Sequence, residues 1–589
     1  MINKLRFTLA QINIVSGDLE GNYNKIVNII LDHFKNDKSD VIIFPETAIS
    51  GYCVGSLFDR IDFIQDQEEK VKSLMNIVPY NKMVIIGFVS LKGIRKTLYP
   101  RICNSVAVIN NNQFQVYDKQ LLANTDHHED RKYFESGKIT KVFDVCVNNT
   151  KFKLGTPICE DVWYTDHTRN ISQEMIDMGA NILISINQSY FYCGKNIVRK
   201  KLYSNISVPF ITVNAVGIGD IVKNILIYDG SSMVFNNKNL EHILPSFKES
   251  IQTIILEKLP LLKEKDNIEN LNEYTIKKKF QEIVDALVFE QKELFKIQGF
   301  KKAQIHLSGG LDSSVVAALT LLTHNVEDIV FITNPSSFNT PKIYNNVKHI
   351  EKRTGIKVWV NSIQEIYDKI LEVDEKSFNT ELSDVAKSCI QASLRTCLGL
   401  YNAHRFKSTL ISTTNHTELC LGFSTYLDIS YAGIHTLIGD LTKIELYQLA
   451  KYLNEEIFKI DVIPTNLYNG LCKPSAELPD NQGEDPIDYY IQSGLCSEIV
   501  RMNKSRKQLL FDFKNKNLTN DYFPVLTEYN NKSIYELYTI EQFTEQVDFS
   551  FRKLKSSVYK AAQCPPVPLI SKRGRAFSDR ETLINKYNY

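Results

Sequence analysis

Short apolar runs bounded by polar or turn-forming residues recur through the first 250 positions. Phe7-Thr8-Leu9-Ala10-Gln11-Ile12, Val41-Ile42-Ile43-Phe44, Val84-Ile85-Ile86-Gly87-Phe88, Ser105-Val106-Ala107-Val108-Ile109, Ile182-Leu183-Ile184-Ser185-Ile186 and Phe210-Ile211-Thr212-Val213 each have the length and β-branched content of a strand. Phe152-Lys153-Leu154 is a shorter extended run. Between some of these the apolar positions recur at helical spacing, as over Asn24 to Phe34. Strands that are apolar on both faces must be covered on both, so buried strands with intervening helices predict an α/β sandwich.

The pattern changes at Leu259. From there to Glu273 the chain is charged, contains a proline and carries little strand pattern, which reads as a linker at 259–273 between domains at 1–258 and 274–589. Beyond it, helical periodicity over Ile276 to Lys296 leads to a strand at Gln304 to Leu307. The loop Ser308-Gly309-Gly310-Leu311-Asp312-Ser313-Ser314, an apolar helix from Val315 to Leu322 and a second strand from Ile329 to Thr333 follow. This is a βαβ unit with a glycine-rich turn, the geometry of a parallel sheet that binds phosphate at its strand ends.

Bulk properties narrow the function classes. At 589 residues the chain exceeds one ordinary core, while 43% hydrophobic and 23% charged residues are those of globular proteins. Lys+Arg 69 against Asp+Glu 68 leaves a formal charge of +1, so no global basic field is present to hold nucleic acid or an anionic membrane. The 29 Tyr and 31 Phe, without a basic stripe, read as core material rather than base-stacking platforms. The first residues lack a secretory signal, and no run approaches the roughly 20 apolar residues needed to span a bilayer, so a cytoplasmic location is expected. Eleven cysteines with no Cys-x-x-Cys pair fit neither a disulfide framework nor a zinc site and read as buried thiols.

One cysteine has company that suggests chemistry. Cys159 lies in Gly155-Thr156-Pro157-Ile158-Cys159-Glu160-Asp161-Val162-Trp163, just beyond an extended run. Glu46 follows the apolar strand at Val41, and Lys119 follows the extended Tyr117-Asp118. A carboxylate to take the thiol proton, a sulfur to attack an amide carbon and an ammonium to meet the oxyanion are the parts of acyl transfer through a thioester. Phe44-Pro45-Glu46, Lys119 and Cys159-Glu160-Asp161 together resemble the Glu-Lys-Cys triad of the nitrilase, or carbon–nitrogen hydrolase, family. The likeness extends to Ile186-Asn187-Gln188-Ser189, Gly194-Lys195, and Val213-Asn214 with Asp229-Gly230-Ser231. It implies an αββα sandwich with Glu46 as base, Lys119 as oxyanion stabiliser and Cys159 as nucleophile. The further acidic residue usual in that family falls at Asp130, one methylene shorter.

The Ser308 to Ser314 loop has no lysine and is not a Walker A loop. Its backbone N–H groups, three hydroxyls and a helix start suit a pyrophosphate, and Asp312 can hold a Mg²⁺ that neutralises it. It resembles the pyrophosphate loop of the ATP pyrophosphatases. Thr413-Thr414-Asn415-His416-Thr417-Glu418-Leu419, Ile438-Gly439-Asp440-Leu441-Thr442-Lys443, Lys473 to Leu478, Gln482 to Asp485 and the tail from Gln563 through Arg575-Ala576-Phe577 are similar to segments of NAD synthetases.

The whole chain thus resembles the glutamine-dependent NAD synthetases. That resemblance implies glutamine, ATP and nicotinic acid adenine dinucleotide as substrates, Mg²⁺ as cofactor, and a homo-oligomer. Asp130, Tyr133, Asn187, Ser189 and Lys195 would then surround the glutamine. Ser308, Gly309, Gly310, Leu311, Asp312, Ser313, Ser314, Thr414, Lys443 and Ser475 would contact ATP, and Asp312 and Glu418 would be the Mg²⁺ ligands. Arg395, Asn415, Glu418 and Asp428 would contact the dinucleotide. The family segment Glu-Asn-Ile-Gln-Ala-Arg-x-Arg stands here as Ser388-Cys389-Ile390-Gln391-Ala392-Ser393-Leu394-Arg395, and a Gly-Asp expected after Thr425 appears as Tyr426-Leu427-Asp428. Dinucleotide binding is therefore expected to differ in detail. The rival readings are an amidase-coupled ATP pyrophosphatase with another acceptor and a non-catalytic subunit that keeps both folds. His127-His128 reads as a solvated turn and Lys195 to Lys201 as a solvated helix face, although Lys195 also belongs to the hydrolase resemblance.

Overall fold

The structure, a computed structural model, describes residues 4–97, 99–123, 127–221, 223–258, 274–378, 380–425, 428–469, 487–526 and 530–574. The linker reading at 259–273 lies outside the described residues, as do Ser475 with Lys473 to Leu478, Gln482 to Asp485, Tyr426-Leu427 and Arg575 to Phe577. The chain forms two compact units, one of Met1–Ile221 and Ile225–Lys279, the other of Val222–Asn224 and Phe280–Tyr589.

In the first unit, strands β1 (Arg6–Gln11), β2 (Val41–Ile43), β3 (Met83–Ile94), β4 (Pro100–Asn110) and β5 (Gln113–Asp118) precede β6 (Val142–Val147), β7 (Thr150–Gly155), β8 (Ile182–Asn187) and β9 (Phe210–Asn214). A ribbon of β10 (Val216–Ile221) and β11 (Asn224–Asp229) comes next, then β12 (Met233–Asn236), β13 (Asn239–Ile243) and β14 (Ser250–Ile255). Two six-stranded sheets result, ordered β14-β1-β2-β3-β4-β5 and β13-β12-β9-β8-β7-β6. Within them β1, β2 and β3 run parallel, as do β7, β8 and β9. Period-two positions such as Phe7, Leu9, Ile43, Ile85, Val106 and Val108 join Val145, Leu154, Ile184, Ile211 and Val234 in one core between the sheets. The opposite faces are buried as well, for example Ile42, Val84 and Ile86, and the helix Ile61–Ser73 lies against β3.

The sequence pattern found the apolar centres of these strands and missed their ends. Beyond Ser90, β3 alternates between half-buried and exposed positions, where the β3–β4 ladder outruns the core. The first helix spans Leu19–Lys35, five residues longer at its start than its periodicity suggested. Asp18 caps it by accepting from Gly21 N at 2.8 Å, and Asn22 is buried by bonds to Val15 and Ile49, a polar residue on the inward face.

In the second unit, β15 (Ala303–His306), β16 (Ile329–Thr333), β17 (Val358–Val360) and β18 (Thr409–Leu410) form a wholly parallel sheet in the order β17-β16-β15-β18. Helices surround it, among them Ile276–Gln298, Leu311–Leu321, Pro341–Thr354, Asp384–Phe406, His416–Leu421, Lys443–Tyr452 and Ile540–Ala561. The helix expected from Val315 begins at Leu311 because Gly310 takes an extended N-cap conformation, so Asp312, Ser313 and Ser314 belong to its first turn. Among the described residues no helix is long and apolar enough to cross a membrane. Among the described residues no disulfide is present, and six of the ten cysteines there are buried.

Candidate active sites

The first site gathers where strands end. Two residues past β2 the chain turns at Pro45 to place Glu46, and the turn lies so close to β3 that a Cβ on Gly87 would stand 2.5 Å from Glu46 Cα. Glu46 Oε1 accepts from Lys119 Nζ at 2.9 Å and from Asn104 Nδ2 at 2.7 Å, and its Oε2 accepts from Gln188 N at 2.8 Å. Lys119, one residue past β5, donates on its other side to Asp130 Oδ2 at 2.8 Å. Asp130 also accepts from Tyr52 OH at 2.6 Å and Ala123 N at 3.0 Å. Glu46 and Lys119 are each 1% exposed and Asp130 0%. Burial opposes the Lys119 charge, but the fields of Asp130 and Glu46 outweigh it and hold its pKa well above the ordinary lysine value. Burial likewise opposes the Asp130 charge, and the Lys119 ammonium still holds that carboxyl below the usual range.

Cys159 opens a tight turn, Cys159–Asp161, with φ +44°, a left-handed conformation that non-glycine residues seldom adopt. Asp161 staples this turn to the segment carrying Lys119, accepting from Ile158 N, Gln120 N and Leu121 N at 3.1, 3.1 and 2.8 Å and from Tyr117 OH at 2.8 Å. Burial, and then the Glu46 carboxylate, push the Cys159 thiol well above its ordinary pKa, so the resting sulfur is protonated and needs a base. Glu160 lies 2.9 Å from His167.

The helix Lys195–Tyr203 corrects the solvated-face reading, because Lys195 and Arg199, four apart, both turn inward while Lys201 stays exposed. Arg199 pairs with Asp229 at 2.7 Å. Lys195 is 5% exposed, donates to Ser189 Oγ at 2.7 Å and to Tyr190 O, and stands 4.6–5.6 Å from the rings of Trp163, Tyr190 and Tyr192. Burial, reinforced by Arg199, lowers its pKa to about 7. The solvated turn at His127-His128 is also overturned: His127 is 4% exposed, and the His128 ring lies 5.0 Å from Tyr190. Asn187 bonds to Thr212 Oγ1 at 2.7 Å rather than to the triad, and Tyr133 rests on Phe58 with ring centroids 5.5 Å apart. Gln188 stood in the likeness at Ile186 to Ser189 without a role, whereas Tyr52 and Asn104 escaped the sequence reading. Asn104 alone left a signal, as an amide inside the apolar run from Ile102 to Ile109.

The second site lies at the carboxyl end of β15. Gly309 has φ +81°, and a Cβ there would stand 2.4 Å from Ile343 O, so only glycine fits the turn. Ser308 N and Oγ meet Ser313 Oγ at 3.3 and 3.1 Å, Gly310 N donates to Ser308 Oγ at 3.2 Å, and Ser314 Oγ donates to Gly310 O at 2.6 Å. The loop is thus preshaped around the start of the helix Leu311–Leu321. Lys443 Nζ is shared between Asp312 and Glu418, the latter at 3.4 Å. Asn415 donates to Asp312 Oδ1 at 2.7 Å while capping Glu418 N at 3.0 Å, and Thr414 Oγ1 donates to Glu418 Oε2 at 3.2 Å. Burial opposes the Lys443 charge, yet Asp312 and Glu418 raise its pKa.

Residues 308–313, Glu418 and Lys443 line a cavity of about 530 Å³, within the range of small-molecule sites, whereas Ser314, Thr414 and Asn415 stand behind its wall. Arg395 forms part of its wall, donating to Asn334 O at 3.3 Å and Gln391 Oε1 at 3.2 Å. Asp428 lines it too, accepting from Ser430 N at 2.8 Å and Thr425 Oγ1 at 3.2 Å. Lys553 and Lys560, on the helix Ile540–Ala561, also reach the cavity and were not foreseen; Lys560 Nζ donates to Gly422 O at 3.0 Å and Ser424 O at 2.7 Å. Among the described residues no three His, Cys, Asp or Glu converge as a metal cage. Asp312 and Glu418 instead offer two hard carboxylates beside a phosphate-shaped loop, a donor set suited to Mg²⁺ completed by phosphate oxygens.

Residues 6–235 match the family model for carbon-nitrogen hydrolases, and residues 282–522 that for NAD synthases. The chain is similar to a glutamine-dependent NAD(+) synthetase of Aquifex aeolicus, 27% identical over 619 aligned positions covering 99% of this chain and 100% of the relative. It is 27% identical to one from Synechocystis sp., over 85% of this chain and 89% of that one. A solved glutamine-dependent NAD(+) synthetase from Cytophaga hutchinsonii shares the fold with a TM-score of 0.77 at 17% identity, covering 99% of this chain and 98% of the other.

Proposed function

We propose, from the premise that this chain belongs to the glutamine-dependent NAD synthetase family, that it moves the amide nitrogen of glutamine onto the carboxylate of nicotinic acid adenine dinucleotide, driven by cleavage of ATP to AMP and pyrophosphate. The observation that carries this reading is the presence in one chain of the buried Glu46–Lys119–Asp130 cluster around Cys159 and of a cavity joining the Ser308 to Ser314 loop to Asp312, Glu418 and Lys443.

At the first site Glu46 takes the Cys159 proton as the sulfur attacks the amide carbon, and Lys119 faces the oxyanion. Collapse expels ammonia, which carries away that proton, and water then cleaves the glutamyl thioester to glutamate. Asp130 fixes Lys119 from the side away from Glu46 and helps keep it charged. Lys195, with Ser189, is the group for the glutamine carboxylate. At the second site the acceptor carboxylate attacks the α-phosphorus of ATP, pyrophosphate leaves into the loop, and ammonia delivered within the chain displaces AMP from the acyl carbon. Lys443 and the helix start at Leu311 hold the phosphates, with Arg395, Asn415 and Asp428 on the acceptor side. Asp312 and Glu418 would hold Mg²⁺, whose contribution when bound is to neutralise phosphate charge. The reading extends to a cytoplasmic, homo-oligomeric enzyme.

Wild-type protein given ATP, Mg²⁺ and the acid dinucleotide is expected to make NAD with either glutamine or ammonium; no NAD from either donor would overturn the reading. Lys195 adds a pH dependence. It is an ammonium below about 7 and an amine above, so KM for glutamine is expected to rise with pH from there, approaching about tenfold per unit. Lys195→Arg keeps its charge and should flatten the profile, whereas a flat wild-type profile between about pH 6 and 8 removes Lys195 from this role.

A further inference from the structure

Three buried groups in the second unit have no part in the chemistry above, yet they converge on the turn that carries Lys443. Lys443 is the first residue of the helix Lys443–Tyr452, so its reach to Asp312 and Glu418 depends on where that helix starts. The start is fixed by a reciprocal cap: Thr442 Oγ1 accepts from Glu445 N at 3.2 Å, and Glu445 Oε2 accepts from Thr442 N at 3.0 Å. Arg501 grips this cap from outside. It is 7% exposed, with Nη2 and Nη1 at 3.2 and 3.4 Å from the two Glu445 oxygens, and Nη2 also donates to Asp440 O at the head of the turn.

Asp440, 1% exposed, has its Oδ1 3.8 Å from Arg501 Nη2 and also reaches a distant part of the chain. It accepts from Ile570 N at 2.9 Å and from Ser571 N and Oγ at 2.8 and 2.9 Å, three bonds to a segment over 120 residues later in the chain. Lys443 N donates to Thr417 Oγ1 at 3.2 Å, and His416 N to Leu441 O at 2.8 Å, so the same turn is joined to the helix bearing Glu418. A buried guanidinium and two buried carboxylates are a poor way to gain stability alone, since well-packed apolar side chains often do as well or better. What they supply here is a fixed position for one backbone turn.

We propose that Arg501 and Asp440 are positioning residues for Lys443, and that docking of the segment at Ile570 and Ser571 onto Asp440 is part of what sets the adenylating site. The proposal rests on the reading of the second unit as an NAD synthetase. With the segment docked, the turn cannot shift when Lys443 moves from its two carboxylates to substrate phosphate. A displacement of about 1 Å at such a group can lower a rate about 100-fold.

The test uses full-length protein with ammonium as donor, which leaves Cys159 out of the measurement. Arg501→Ala is expected to lower kcat about 100-fold while KM for ATP and for the dinucleotide stay within about twofold, and millimolar guanidinium should restore part of kcat where equal urea does not. Asp440→Asn, which keeps the size but weakens both the grip on Ile570 and Ser571 and the pairing with Arg501, should lower kcat in the same selective way. Arg506→Ala, at the half-buried pair with Asp548, should leave the rate unchanged. Should Arg501→Ala fail to fold by circular dichroism, Asp440→Asn and Arg501→Lys carry the decision by the same split. Folded variants with wild-type kcat, or a loss seen wholly in KM, overturn the proposal. A wild type that makes no NAD from ammonium refutes the underlying assignment instead.

Discussion

Replacing Cys159 with alanine is expected to abolish NAD formation from glutamine and leave NAD formation from ammonium intact. The proposed nucleophile is the one member of its site for which no neighbour can substitute, because Lys119 is locked between Glu46 and Asp130. Loss of a nucleophile of this kind lowers hydrolysis by roughly four orders of magnitude or more. Folding should survive, since the change removes one sulfur from a turn held by Asp161. Glutamate release and NAD formation, assayed side by side, check it. Equal loss with both donors would mean that the two sites are not chemically separable.

Lys443→Ala is expected to remove the reaction with both donors. Its ammonium lies between Asp312 and Glu418, so removal both deletes the proposed phosphate contact and leaves two carboxylates without the charge between them. Loss of one group that stabilises transition-state charge typically lowers a rate about 10²- to 10³-fold. Acceptor-dependent exchange of labelled pyrophosphate into ATP reads the adenylation step without any nitrogen donor, and it should fall by that factor. Unchanged exchange would place Lys443 outside the phosphate chemistry. Lys443→Arg should recover little, since a planar guanidinium does not replace a point charge in so enclosed a position.

What could be read from sequence was whatever announces itself locally. Glu46 stands out as a carboxylate after an apolar strand, and the seven residues from Ser308 carry their own turn chemistry. Asp130 could be placed by motif, but its bonds to Lys119, Tyr52 and Ala123 come from chain segments brought together only by folding. The errors share that cause. Lys195 and Arg199 lie in a lysine-rich run whose composition signals solvent, and only Asp229 and an aromatic wall from other strands and loops draw them inward. His127-His128 misled in the same way. Lys553, Lys560 and Arg501 sit on helices with no motif to mark them, and their importance lies in what they face.

In the proposed cycle the nitrogen freed at Cys159 is the nitrogen installed at the second site. Glutamine labelled with ¹⁵N at the side-chain amide, supplied to wild-type protein with ATP, Mg²⁺, the acid dinucleotide and excess unlabelled ammonium, tests it directly by mass analysis of the product. NAD whose carboxamide is predominantly ¹⁵N at low turnover is expected. NAD carrying only ¹⁴N, with labelled ammonia accumulating in solution, would contradict it.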